Sequence, residues 1–519
     1  MPYDYQPFAY SPPPGLTAAE PRHRVVIVGA GPIGLAMALE LANHGVASVI
    51  LDDNNVVSVG SRAICWSKRS LEILDRLGIG DRALAKGVTW KVGRTFHRET
   101  EVFTYDLLPE DGHKMPAFVN LQQYYVEQFL VEAAQDNPLI DLRFKNKVIA
   151  LDQMGDHVFV DIETPDGEYS LEAQFLLACD GARSPTRHMM GLDFEGELFE
   201  ENFLIADIEM EANFPPERHF WFEPTFHPGQ SALLHKQPDN IYRIDLQLGW
   251  DADPAHEKQP EVVIPRIEKV VGHDRFRLDW VSVYTFQCRR LQRFVHDRVI
   301  FVGDSAHVVS PFGARGGNGG LQDVDNLGWK LAAVLDGRAE TTLLNSYEIE
   351  RIQGADENIR NSTRSTRFMT PGDGVERLFR DQVLALAAKA PFARAWVNSG
   401  RLSHPCTYRS SAPDDAALPD AACPGAVAAD APLDAGWLLP ELAGNVTLMS
   451  LNCPAPNVTG AQILTPAITD TLRDRYLGDA PQALYLIRPD QVVAARWQKA
   501  TSDTIQAEID AIWTGARCH

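Results

Sequence analysis

The sequence predicts an α/β fold in which a parallel-sheet domain is interrupted by an antiparallel sheet and followed by a smaller α/β domain. Short β-branched runs that end at glycine turns indicate strands buried on both faces, as in parallel sheets. A long middle stretch alternates in polarity and is rich in aromatic residues, which is typical of antiparallel strands. Strand-like and helical runs return after a segment rich in Ser, Pro, Ala and Asp at residues 403–432, so we expect a further small domain there.

The opening elements predict a βαβ unit, and two later buried strands extend the same sheet. A glycine-rich turn joins the first strand to a helical run, and each later strand ends just before a turn that contains Asp and Gly. The predicted strands are Arg24–Val28, Val49–Leu51, Phe175–Ala178 and Val299–Val302, and the helix runs from Leu35 to about Gly45.

The inserted sheet is predicted from about Phe203 to Tyr284, where PGQ and QPDN supply turn signals between strand-like runs. From Gly320 to about Ala390 the pattern becomes helical. In the last domain, VTLMSLN, ALYLIRP and VVAARW resemble strands, and Thr504–Thr514 is predicted to be the closing helix.

The chain has 519 residues and a formal net charge of −22, with 48 Lys and Arg against 70 Asp and Glu. Because affinity for phosphate rests on basic residues, this balance argues against a nucleic-acid or anionic-membrane partner. No stretch of the sequence reaches the ~18 apolar residues that a membrane span needs. The Tyr- and Pro-rich segment 1–21 lacks the regions of a secretory signal, so we expect a surface arm on a cytoplasmic protein.

Seven cysteines, an odd number, are scattered along the chain. The sequence contains neither a CxxC pair nor a CxxC…HxxxH grouping. We therefore expect thiols in a reducing compartment and no metal site.

The segment GAGPIG at residues 29–34 matches GxGxxG, and it follows a strand and opens a helix, as the dinucleotide-binding fingerprint requires. Gly29 would allow the tight turn, Gly31 would let the backbone approach a pyrophosphate, and Gly34 would bring the helix close to the strand. Asp52 ends the second strand, at the spacing expected for a carboxylate that binds an adenosine ribose. The motif favours a Rossmann-like domain, and the alternative is a tight turn that binds no ligand.

A second glycine-rich loop follows the strand at Val299–Val302. The segment GDSAHVVSPFGARGGNGG begins at Gly303 and places five glycines between residues 313 and 320. The backbone entropy that each glycine costs argues against a packed element, whereas exposed amides suit contact with a flat polar ligand. The helix that begins near Leu321 aims its positive end at this loop. The alternative is an ordinary surface loop.

These motifs occur in an order that resembles the single-component FAD-dependent aromatic hydroxylases, the group of para-hydroxybenzoate hydroxylase and phenol hydroxylase. The segments that carry the resemblance are GAGPIG with Asp52, CDGARS at residues 179–184, and GDSAHVVSPFGARGGNGG with LQDVDNLGWKLA. Over residues 24–360 the sequence is most similar to 3-(3-hydroxyphenyl)propionate hydroxylase-like members. The tail after residue 410 resembles the thioredoxin-like C-terminal domain of phenol hydroxylase, but it has no CxxC pair.

The resemblance implies FAD as cofactor, NAD(P)H and O₂ as co-substrates, a small aromatic substrate and a homodimer. With only one GxGxxG in the sequence, NAD(P)H is expected to dock transiently. The expected division of the chain is an N-terminal arm (1–23), a discontinuous FAD-binding domain (24–110, 145–200 and 285–360), a substrate-binding region (111–144 and 201–284), a helical connection (361–409) and a thioredoxin-like domain (410–519).

The resemblance also implies which residues hold FAD. Asp52 would take the place of the family's usual Glu, and Arg62 would lie near the pyrophosphate. Gln123 matches a helix glutamine beside the ribityl chain, with Gln122 as a rival by one residue. The full predicted cofactor set is Gly29, Gly31, Pro32, Gly34, Asp52, Asp53, Arg62, Gln123, Val148, Asp180, Asp304, Pro311, Gly316, Gly317 and Asn318.

Several of these residues have a specific implied role. Asp180 lies in the motif linked to both FAD and NAD(P)H use, and Asp304 would bind the ribityl chain. Gly317 and Asn318 would present backbone to the pyrimidine edge of the flavin, and Pro311 would line the space between flavin and substrate.

Hydroxylation through a flavin C4a-hydroperoxide, which the resemblance implies, needs a dry pocket. An ordinary phenol has a pKa near 10, so a base or a positive field must favour the phenolate. The predicted catalytic residues are His235, Tyr284 and Arg243, and the predicted substrate contacts are Trp221, His235, Tyr242 and Pro311, with His219 as a further candidate for the pocket wall.

Each of these candidates has an alternative interpretation. The aromatic residues would then be part of the hydrophobic core, His235 would have a structural role, and Arg243 would form a surface ion pair with Asp245. We interpret His307 as structural.

Two other classes of function remain open in the sequence. One is an FAD oxidoreductase of the same fold with other chemistry: epoxidation, denitrating or decarboxylating oxygenation, or halogenation, although no WxWxIP-type segment is present. The other is a non-catalytic flavin-binding scaffold. NAD(P)H consumption that depends on an added aromatic separates enzyme from scaffold, and product mass separates the chemistries.

Overall fold

The structure is a computed structural model that describes residues 3–249, 252–372, 374–397 and 402–518. The strands are β1 (His23–Val28), β2 (Ser48–Asp52), β3 (Cys65–Ser67), β4 (Val88–Trp90), β5 (Val92–His97), β6 (Thr100–Asp106), β7 (Phe118–Asn120), β8 (Ile140–Phe144), β9 (Lys147–Met154), β10 (His157–Thr164), β11 (Gly167–Ala178), β12 (Glu195–Glu209), β13 (Arg218–Phe222), β14 (Ser231–Lys236), β15 (Ile241–Gly249), β16 (Arg277–Arg290), β17 (Val295–His296), β18 (Val299–Phe301), β19 (His307–Val308), β20 (Thr447–Leu451), β21 (Gln462–Leu464), β22 (Ala483–Ile487) and β23 (Val493–Trp497). The helices are α1 (Pro32–Asn43), α2 (Lys68–Arg76), α3 (Gly80–Lys86), α4 (Gln123–Gln135), α5 (Pro185–Met189), α6 (Pro254–Glu257), α7 (Pro260–Val271), α8 (Gly316–Leu335), α9 (Leu344–Met369), α10 (Val375–Ala387), α11 (Pro391–Val397), α12 (Leu438–Glu441), α13 (Asp470–Leu472) and α14 (Ser502–Thr514).

A parallel sheet forms the core of the first domain. Strands β18, β11, β1, β2 and β8 lie side by side in this order and are all parallel. The central strand β1 is buried on both faces, which explains its uninterrupted apolar run. Because the carboxyl ends of parallel strands meet at one edge, the turns after β1, β2, β11 and β18 lie together there.

A second sheet provides the large inserted surface. Its order is β19-β16-β12-β15-β14-β13-β5-β6, and all neighbours are antiparallel except β13 and β5. One face packs against α7, through Val263 and Ile267. The opposite face packs against Phe312 of the glycine-rich loop and against α10. We call this second face the inner face.

A small sheet in the order β3-β7-β4 connects the two large sheets. On one side the Asn120 side chain donates to the carbonyl oxygen of Lys236 on β14, at 2.9 Å. On the other side, the backbone N–H of Ser67 donates to Asn318 Oδ1 of α8, at 2.9 Å. The small sheet therefore fixes the inserted sheet relative to the first domain.

The expected boundary between these domains differs from the observed one in two places. Residues 92–106, expected in the FAD-binding domain, form β5 and β6 of the inserted sheet. Residues 123–144, expected in the substrate-binding region, form α4, which packs on α1, and β8, which pairs with β2. The reason is that pairing partners, and not local composition, decide to which sheet a short strand belongs.

The C-terminal domain contains a sheet in the order β21-β20-β22-β23. Strands β20 and β21 are parallel, and the other neighbours are antiparallel. Helix α14 covers this sheet together with Trp329 of α8, so the domain shares a hydrophobic cluster with the first domain.

A buried charged network also crosses this domain boundary. Glu350 on α9 accepts hydrogen bonds from Lys330 Nζ at 2.7 Å and from Asn326 Nδ2 at 2.6 Å. Arg488 of the C-terminal domain donates to the same carboxylate through Nη2 at 3.0 Å. Burial raises and these cations lower the pKa of Glu350, with a net fall well below its usual value. The carboxylate is thus the shared anion of this interface.

The N-terminal arm lies over the segment that follows β2. Tyr5 Oη accepts a hydrogen bond from the backbone N–H of Gly60, at 3.0 Å. The Phe8 ring stacks on Phe144 of β8, with centroids 4.7 Å apart. The arm therefore holds the loop at residues 53–60 against the sheet.

Candidate cofactor and substrate site

The turn after β1 has the geometry that its three glycines suggest. Gly29 has φ +104°, and a Cβ there would lie 2.6 Å from the carbonyl oxygen of Cys179. A Cβ on Gly34 would lie 1.9 Å from the oxygen of Gly29, so helix α1 can approach the strand only without a side chain. A Cβ on Gly31 meets no described protein atom within 4 Å. Gly31 therefore faces open space at the N-terminus of α1, where backbone N–H groups attract an anion.

Asp52 joins the end of β2 to this turn. Its Oδ2 accepts from the backbone N–H of Ala30 at 2.5 Å, and its Oδ1 accepts from Asn54 at 2.8 Å. Burial raises the pKa of Asp52 to about 6, partly offset by these two hydrogen bonds. The neighbouring Asp53 is exposed.

The second glycine-rich loop closes on the same edge of the sheet. Asp304 follows β18. Part of this residue is exposed to solvent, but its carboxyl group is surrounded by protein atoms, and this burial raises the pKa of the carboxyl group. A Cβ on Gly316, the first residue of α8, would lie 3.9 Å from Asp304 Oδ1. A Cβ on Gly317 would contact the Trp66 ring at 3.4 Å. The start of α8 thus presents bare backbone between Asp304 and Trp66.

Asn318 connects this helix end to β3. Its Oδ1 accepts from the backbone N–H of Ser67 at 2.9 Å, and its Nδ2 donates to the carbonyl oxygens of Cys65 at 2.9 Å and Ala314 at 2.5 Å. Since these contacts engage the side chain, only the backbone of Asn318 remains for a ligand. Pro311 is exposed at the start of the loop.

Gln123 and Gln122 differ in their surroundings. Gln123 Oε1 accepts from the backbone N–H of Ala63 at 3.1 Å, and its Nε2 donates to Glu127 at 2.7 Å. The Gln122 amide is fully buried, and neither its nitrogen nor its oxygen has a hydrogen-bond partner within the described residues. An orphaned buried amide costs free energy, so a polar ligand group near Gln122 would be stabilising.

Asp180 shows a similar orphaned atom. Its Oδ2 accepts from the backbone N–H of Thr186 at 2.9 Å, while Oδ1 is buried without a partner among the residues described. Arg62 is exposed, and its carbonyl oxygen accepts from Arg243 at 2.8 Å. Val148 lies in the hydrophobic core of the first domain. It follows Asn146 by two residues, and the backbone N–H of Asn146 donates to the carbonyl oxygen of Asp52 at 2.8 Å.

His307 ties the acidic turn to α8. Its Nε2 lies 2.8 Å from Asp323 Oδ2, which also accepts from the backbone N–H of Gly303 at 2.9 Å. The imidazole stacks on Phe294, and all of these groups are buried. This geometry fits a residue that orients the loop.

The inserted sheet separates the predicted substrate residues onto two faces. Tyr284 packs on the inner face with Phe312 and Phe203, whose ring centroids are 4.9 Å apart. Trp221 and Tyr242 lie on the opposite face, in the cluster that packs against α7. Because side chains alternate along a strand, the structure does not bring these two residues to the glycine-rich loop.

His219 also lies away from the inner face. On β13 the buried residues alternate with half-buried ones, and His219 neighbours Trp221. His235, one strand away on β14, points to the inner face, where its Nδ1 lies 4.0 Å from Cys65 Sγ. The two histidines are therefore separated by the sheet.

A row of residues crosses the inner face from strand to strand. Hydrogen-bonded register connects Tyr105 with Gly93, Gly93 with Arg218, His235 with Arg243, Arg243 with Asp207, and Asp207 with Trp280. Arg218 stands opposite His235, one step beyond the pair of His219 and Leu234. We call these residues the transverse row. Arg218, His235, Arg243 and Asp207 are all buried.

Arg243 is engaged within the protein. Its Nε donates to Asp245 at 2.8 Å, and its Nη1 donates to the carbonyl oxygens of Ser61 at 2.7 Å and Arg62 at 2.8 Å. Arg243 is buried and Asp245 is half-buried, so the pair is not the surface ion pair that the sequence left open. Arg243 thus anchors the loop around residue 62 to the inserted sheet.

Asp207 and Arg218 are buried charged residues of the row that the sequence interpretation missed. Asp207 interrupts an apolar series on one face of β12 (Phe203, Ile205), and this break in alternation was a readable signal. Arg218 follows Glu217 in a polar stretch that resembles a surface turn, so its burial had no local signal.

Asp207 is expected to make stability depend on pH. Burial raises its pKa to about 7, so the folded state holds a proton that the unfolded state releases above its usual pKa. The free energy of unfolding should therefore fall as the pH rises from 5 to 8. Asp207→Asn should remove about 2 kcal/mol of this fall, measured by urea unfolding at both pH values.

The matched control is Glu209→Gln on the same strand. The hydrogen bond from Arg277 is the main cause that lowers the pKa of Glu209, so this carboxyl group stays ionised in both states between pH 5 and 8. The slope of stability against pH should then match the wild type. If the free energy of unfolding of Asp207→Asn depended on pH as that of the wild type does, Asp207 would be ionised in the folded protein.

Two classes of site are not found in the described part of the chain. No helix there combines the length and apolar character needed to cross a membrane. No group of three or more His, Cys, Asp or Glu side chains there is arranged to hold a metal ion.

Comparisons with known proteins agree with this geometry. The family described as "FAD binding domain" matches residues 22–362. A 3-(3-hydroxy-phenyl)propionate/3-hydroxycinnamic acid hydroxylase of Mycolicibacterium smegmatis is 28% identical over 401 residues, 77% of this chain and 71% of the relative. The enzyme of the same name from Klebsiella pneumoniae is 29% identical over 395 residues, 75% of this chain and 70% of the relative.

Solved structures show the same fold. The p-nitrophenol 4-monooxygenase PnpA from Pseudomonas putida superposes with a TM-score of 0.64 at 26% identity, covering 72% of this chain and 96% of that one. The flavin-dependent monooxygenase PieE, solved with FAD and substrate, superposes with a TM-score of 0.78 at 22% identity, covering 95% of this chain and 99% of that one.

The residues at the sheet edge fit FAD. At Gly31 and at the start of α8 the backbone carries no side chain, which suits the close approach of a pyrophosphate and of a flat ring. The buried polar atoms of Gln122 and Asp180 have no hydrogen-bond partner in the described chain, which suits polar groups of the cofactor. The family match covers both glycine-rich loops and the inserted sheet between them. This chain therefore belongs to the FAD-binding domain family, as a flavoprotein enzyme with FAD-dependent aromatic hydroxylases among its relatives.

Proposed function

We propose that the protein is an NAD(P)H-consuming, FAD-dependent monooxygenase that hydroxylates a phenolic compound. The observation that carries the proposal is the link from α8 through Asn318 to β3, whose Cys65 lies against His235. This link joins the edge that fits FAD to the inner face of the inserted sheet. The activities for which the relatives are named, on a hydroxyphenyl acid and on p-nitrophenol, agree with this reaction class.

FAD, when bound, supplies the redox chemistry with NAD(P)H and O₂ and delivers oxygen to the ring. The protein's own residues bind the cofactor, orient the substrate and exclude water. The aromatic cluster of the inner face, which includes Phe203, Phe220 and Phe312, suits the exclusion of water. Tyr284 and Pro311, at the border of this cluster, remain proposed contacts of the substrate.

His235 is proposed to accept a hydrogen bond from the phenol hydroxyl. Burial, with the charges of Arg218 and Arg243, lowers the pKa of His235 well below its usual value. The imidazole is then neutral near pH 7 and has an acceptor nitrogen. An acceptor at the hydroxyl would favour attack on the ring, because it moves the phenol toward phenolate.

Three finer expectations belong to the same proposal. The C-terminal domain is inferred to be thioredoxin-like, supported by its four-stranded sheet and the closing helix α14. A cytoplasmic location is supported by the seven cysteines, none of which is in a disulfide in the structure. A homodimer is the expected assembly in solution.

The proposal is tested with the purified flavoprotein, NADH or NADPH, and a panel of substituted phenols and hydroxybenzoates. We expect a panel member to stimulate NAD(P)H oxidation and to gain one oxygen atom, measured by product mass against H₂O₂ release. Loss of nitrite or CO₂ from the substrate, or an epoxide product, would instead indicate the other oxygenase chemistries. A protein that takes up no FAD, or shows no aromatic-dependent oxidation, would contradict the proposal.

The role of His235 is measured in the same assay. His235→Asn should lower the hydroxylation rate by about 100-fold, the scale of acid–base assistance, while FAD binds as before. The control is His219→Asn, which changes a histidine on the neighbouring strand but on the opposite face. Equal rates for the wild type and His235→Asn would exclude this role.

A further inference from the structure

The loop at residues 58–63 borders the edge that fits FAD, and we call it the wall loop. Its last residue, Ala63, lies beside the start of α8, since a Cβ on Gly317 would stand 3.8 Å from Ala63 Cβ. The backbone N–H of Ala63 donates to Gln123 Oε1 at 3.1 Å, and the residue before Gln123 is Gln122 with its orphaned buried amide. The position of the wall loop therefore sets the width of the space beside Gly317.

Two elements of the folded domains hold the ends of the wall loop. Glu127 of α4 accepts hydrogen bonds from the backbone N–H and the hydroxyl of Ser58, at 2.5 and 2.6 Å. In the inserted sheet, Asp207 accepts from the Ser61 hydroxyl, and Arg243 donates to the carbonyl oxygen of Ser61 at 2.7 Å. These contacts fix the loop on both sides of its middle.

The middle of the wall loop is held by the N-terminal arm. The backbone N–H of Gly60 donates to Tyr5 Oη at 3.0 Å. Gly60 is buried and has φ +80°, and a Cβ there would lie 2.1 Å from the Trp280 ring. Because a buried backbone N–H needs a partner, the Tyr5 hydroxyl stabilises this conformation of the loop.

The arm is docked at two points that keep Tyr5 in place. The Tyr3 ring lies 4.3 Å from the Tyr124 ring of α4, and the Tyr5 ring lies 5.6 Å from the same ring. Further along the arm, the backbone N–H of Phe8 donates to the carbonyl oxygen of Asn55 at 2.7 Å, and Asn55 Nδ2 donates to the carbonyl oxygen of Phe8 at 2.9 Å. Tyr5 thus lies between two anchors of the arm.

Tyr5 and Tyr10 make different use of their hydroxyl groups. The Tyr10 hydroxyl is buried without a hydrogen-bond partner among the residues described, so this side chain contributes only its packing. The Tyr5 hydroxyl accepts from the backbone of the wall loop. An arm that served only to cover apolar surface would not need this bond.

We propose that Tyr5 is a positioning residue for FAD, because it holds Gly60 and thereby keeps the wall loop in the position that receives the cofactor. The hydroxyl acts through the loop and does not touch the ligand. This inference concerns FAD binding and does not depend on the reaction that the flavoprotein catalyses. A loop with a larger choice of positions lowers the fraction of the protein that is competent to bind, which raises the apparent Kd.

The experiment measures FAD binding in Tyr5→Phe, which removes the hydroxyl and keeps the ring beside Tyr124. The Kd is read from flavin fluorescence on titration of the apoprotein, and the rate of FAD release is read from the holoprotein. The Kd should rise about 10-fold, the scale of one buried N–H left without its partner. Amide hydrogen exchange at Gly60 in the holoprotein should become faster than in the wild type.

Two variants of the same arm are the controls. Tyr10→Phe should bind FAD within about 2-fold of the wild type, because removing a hydroxyl without a partner breaks no hydrogen bond. Tyr3→Phe removes a hydroxyl that donates to Gln128 of α4, so it changes the docking of the arm without touching the wall loop. Its FAD Kd should stay in the same range as that of Tyr10→Phe.

Urea unfolding of each apoprotein separates positioning from a purely structural role. A Tyr5→Phe protein that is less stable but binds FAD with the Kd of the wild type would overturn the inference. Equal losses of FAD affinity in Tyr5→Phe and Tyr3→Phe would also overturn it, since the arm as a whole and not the bond to Gly60 would then matter. Either result would leave the proposed function intact, because aromatic-dependent NAD(P)H oxidation tests that function separately.

Discussion

Gly34→Ala should yield a protein that retains no FAD and unfolds with about 3 kcal/mol less free energy than the wild type. The added Cβ would lie 1.9 Å from the oxygen of Gly29 and 3.2 Å from Cys179 Cβ. The turn cannot relax easily, because Gly29 already has a positive φ and lies against the backbone of Cys179. Overpacking of a buried contact and backbone strain each cost about 1–3 kcal/mol. Urea unfolding of the apoprotein and flavin absorbance after purification measure the two effects.

Gly31→Ala is the matched control, in the same turn and with the same added methyl group. Its Cβ meets no described protein atom, so the free energy of unfolding of the apoprotein should stay within about 0.5 kcal/mol of the wild type. FAD affinity should nevertheless fall, because the methyl group occupies the space through which the pyrophosphate approaches. If both variants lost stability equally, Gly31 would have a structural role and not a ligand-facing one.

Glu350→Gln should lower the free energy of unfolding by about 3–5 kcal/mol, the scale for removal of one partner from a buried ion pair. The neutral amide would leave Lys330 and Arg488 without their shared anion inside the domain boundary. The N–H₂ group of the glutamine is itself a donor, and it would face Asn326 Nδ2 and Lys330 Nζ, which now donate to the carboxylate. Denaturant unfolding at pH 7 measures the loss.

The pH dependence of this loss has a defined sign. Since the folded state lowers the pKa of Glu350, its contribution is complete above the unfolded pKa and disappears as the pH falls through the folded value. The difference in the free energy of unfolding between the wild type and Glu350→Gln should therefore become smaller as the pH falls. Glu197→Gln, which breaks the exposed pair with Arg367, should change stability by less than about 1 kcal/mol. A Glu350→Gln protein as stable as this control would contradict the account.

Local signals were sufficient for the first turn of the edge that fits FAD. The spacing of Gly29, Gly31 and Gly34 predicts a turn within six residues, and α1 begins inside this motif, at Pro32. For the second glycine-rich segment the expected start of the helix near Leu321 was wrong. Helix α8 begins at Gly316 and includes four of the five glycines that we expected in a loop. Burial against neighbouring elements stabilises these glycines in the helix, and this packing is not visible in the local pattern.

The inner face could not be predicted in the same way. Alternation along β13 indicates two faces, but both are buried, so hydropathy does not tell which one meets the loop. Trp221 and Tyr242 were expected at the substrate for this reason. The transverse row depends on the register of strands from Tyr105 to Trp280, which pairing across the sheet decides. Register of this kind is not contained in any single segment.

The order of strands in the parallel sheet has a consequence for synthesis on the ribosome. Leu176 of β11 pairs with Val299 of β18, and strands β12 to β16 of the inserted sheet are made between them. At the usual 5–20 residues per second, translation of this interval takes about 6–25 s, during which the edge of β11 has no neighbour on that side. Such high contact order favours slow folding and exposes the nascent chain to aggregation. Yield in a cell should thus depend on chaperones and on the speed of elongation as well as on the stability of the finished fold.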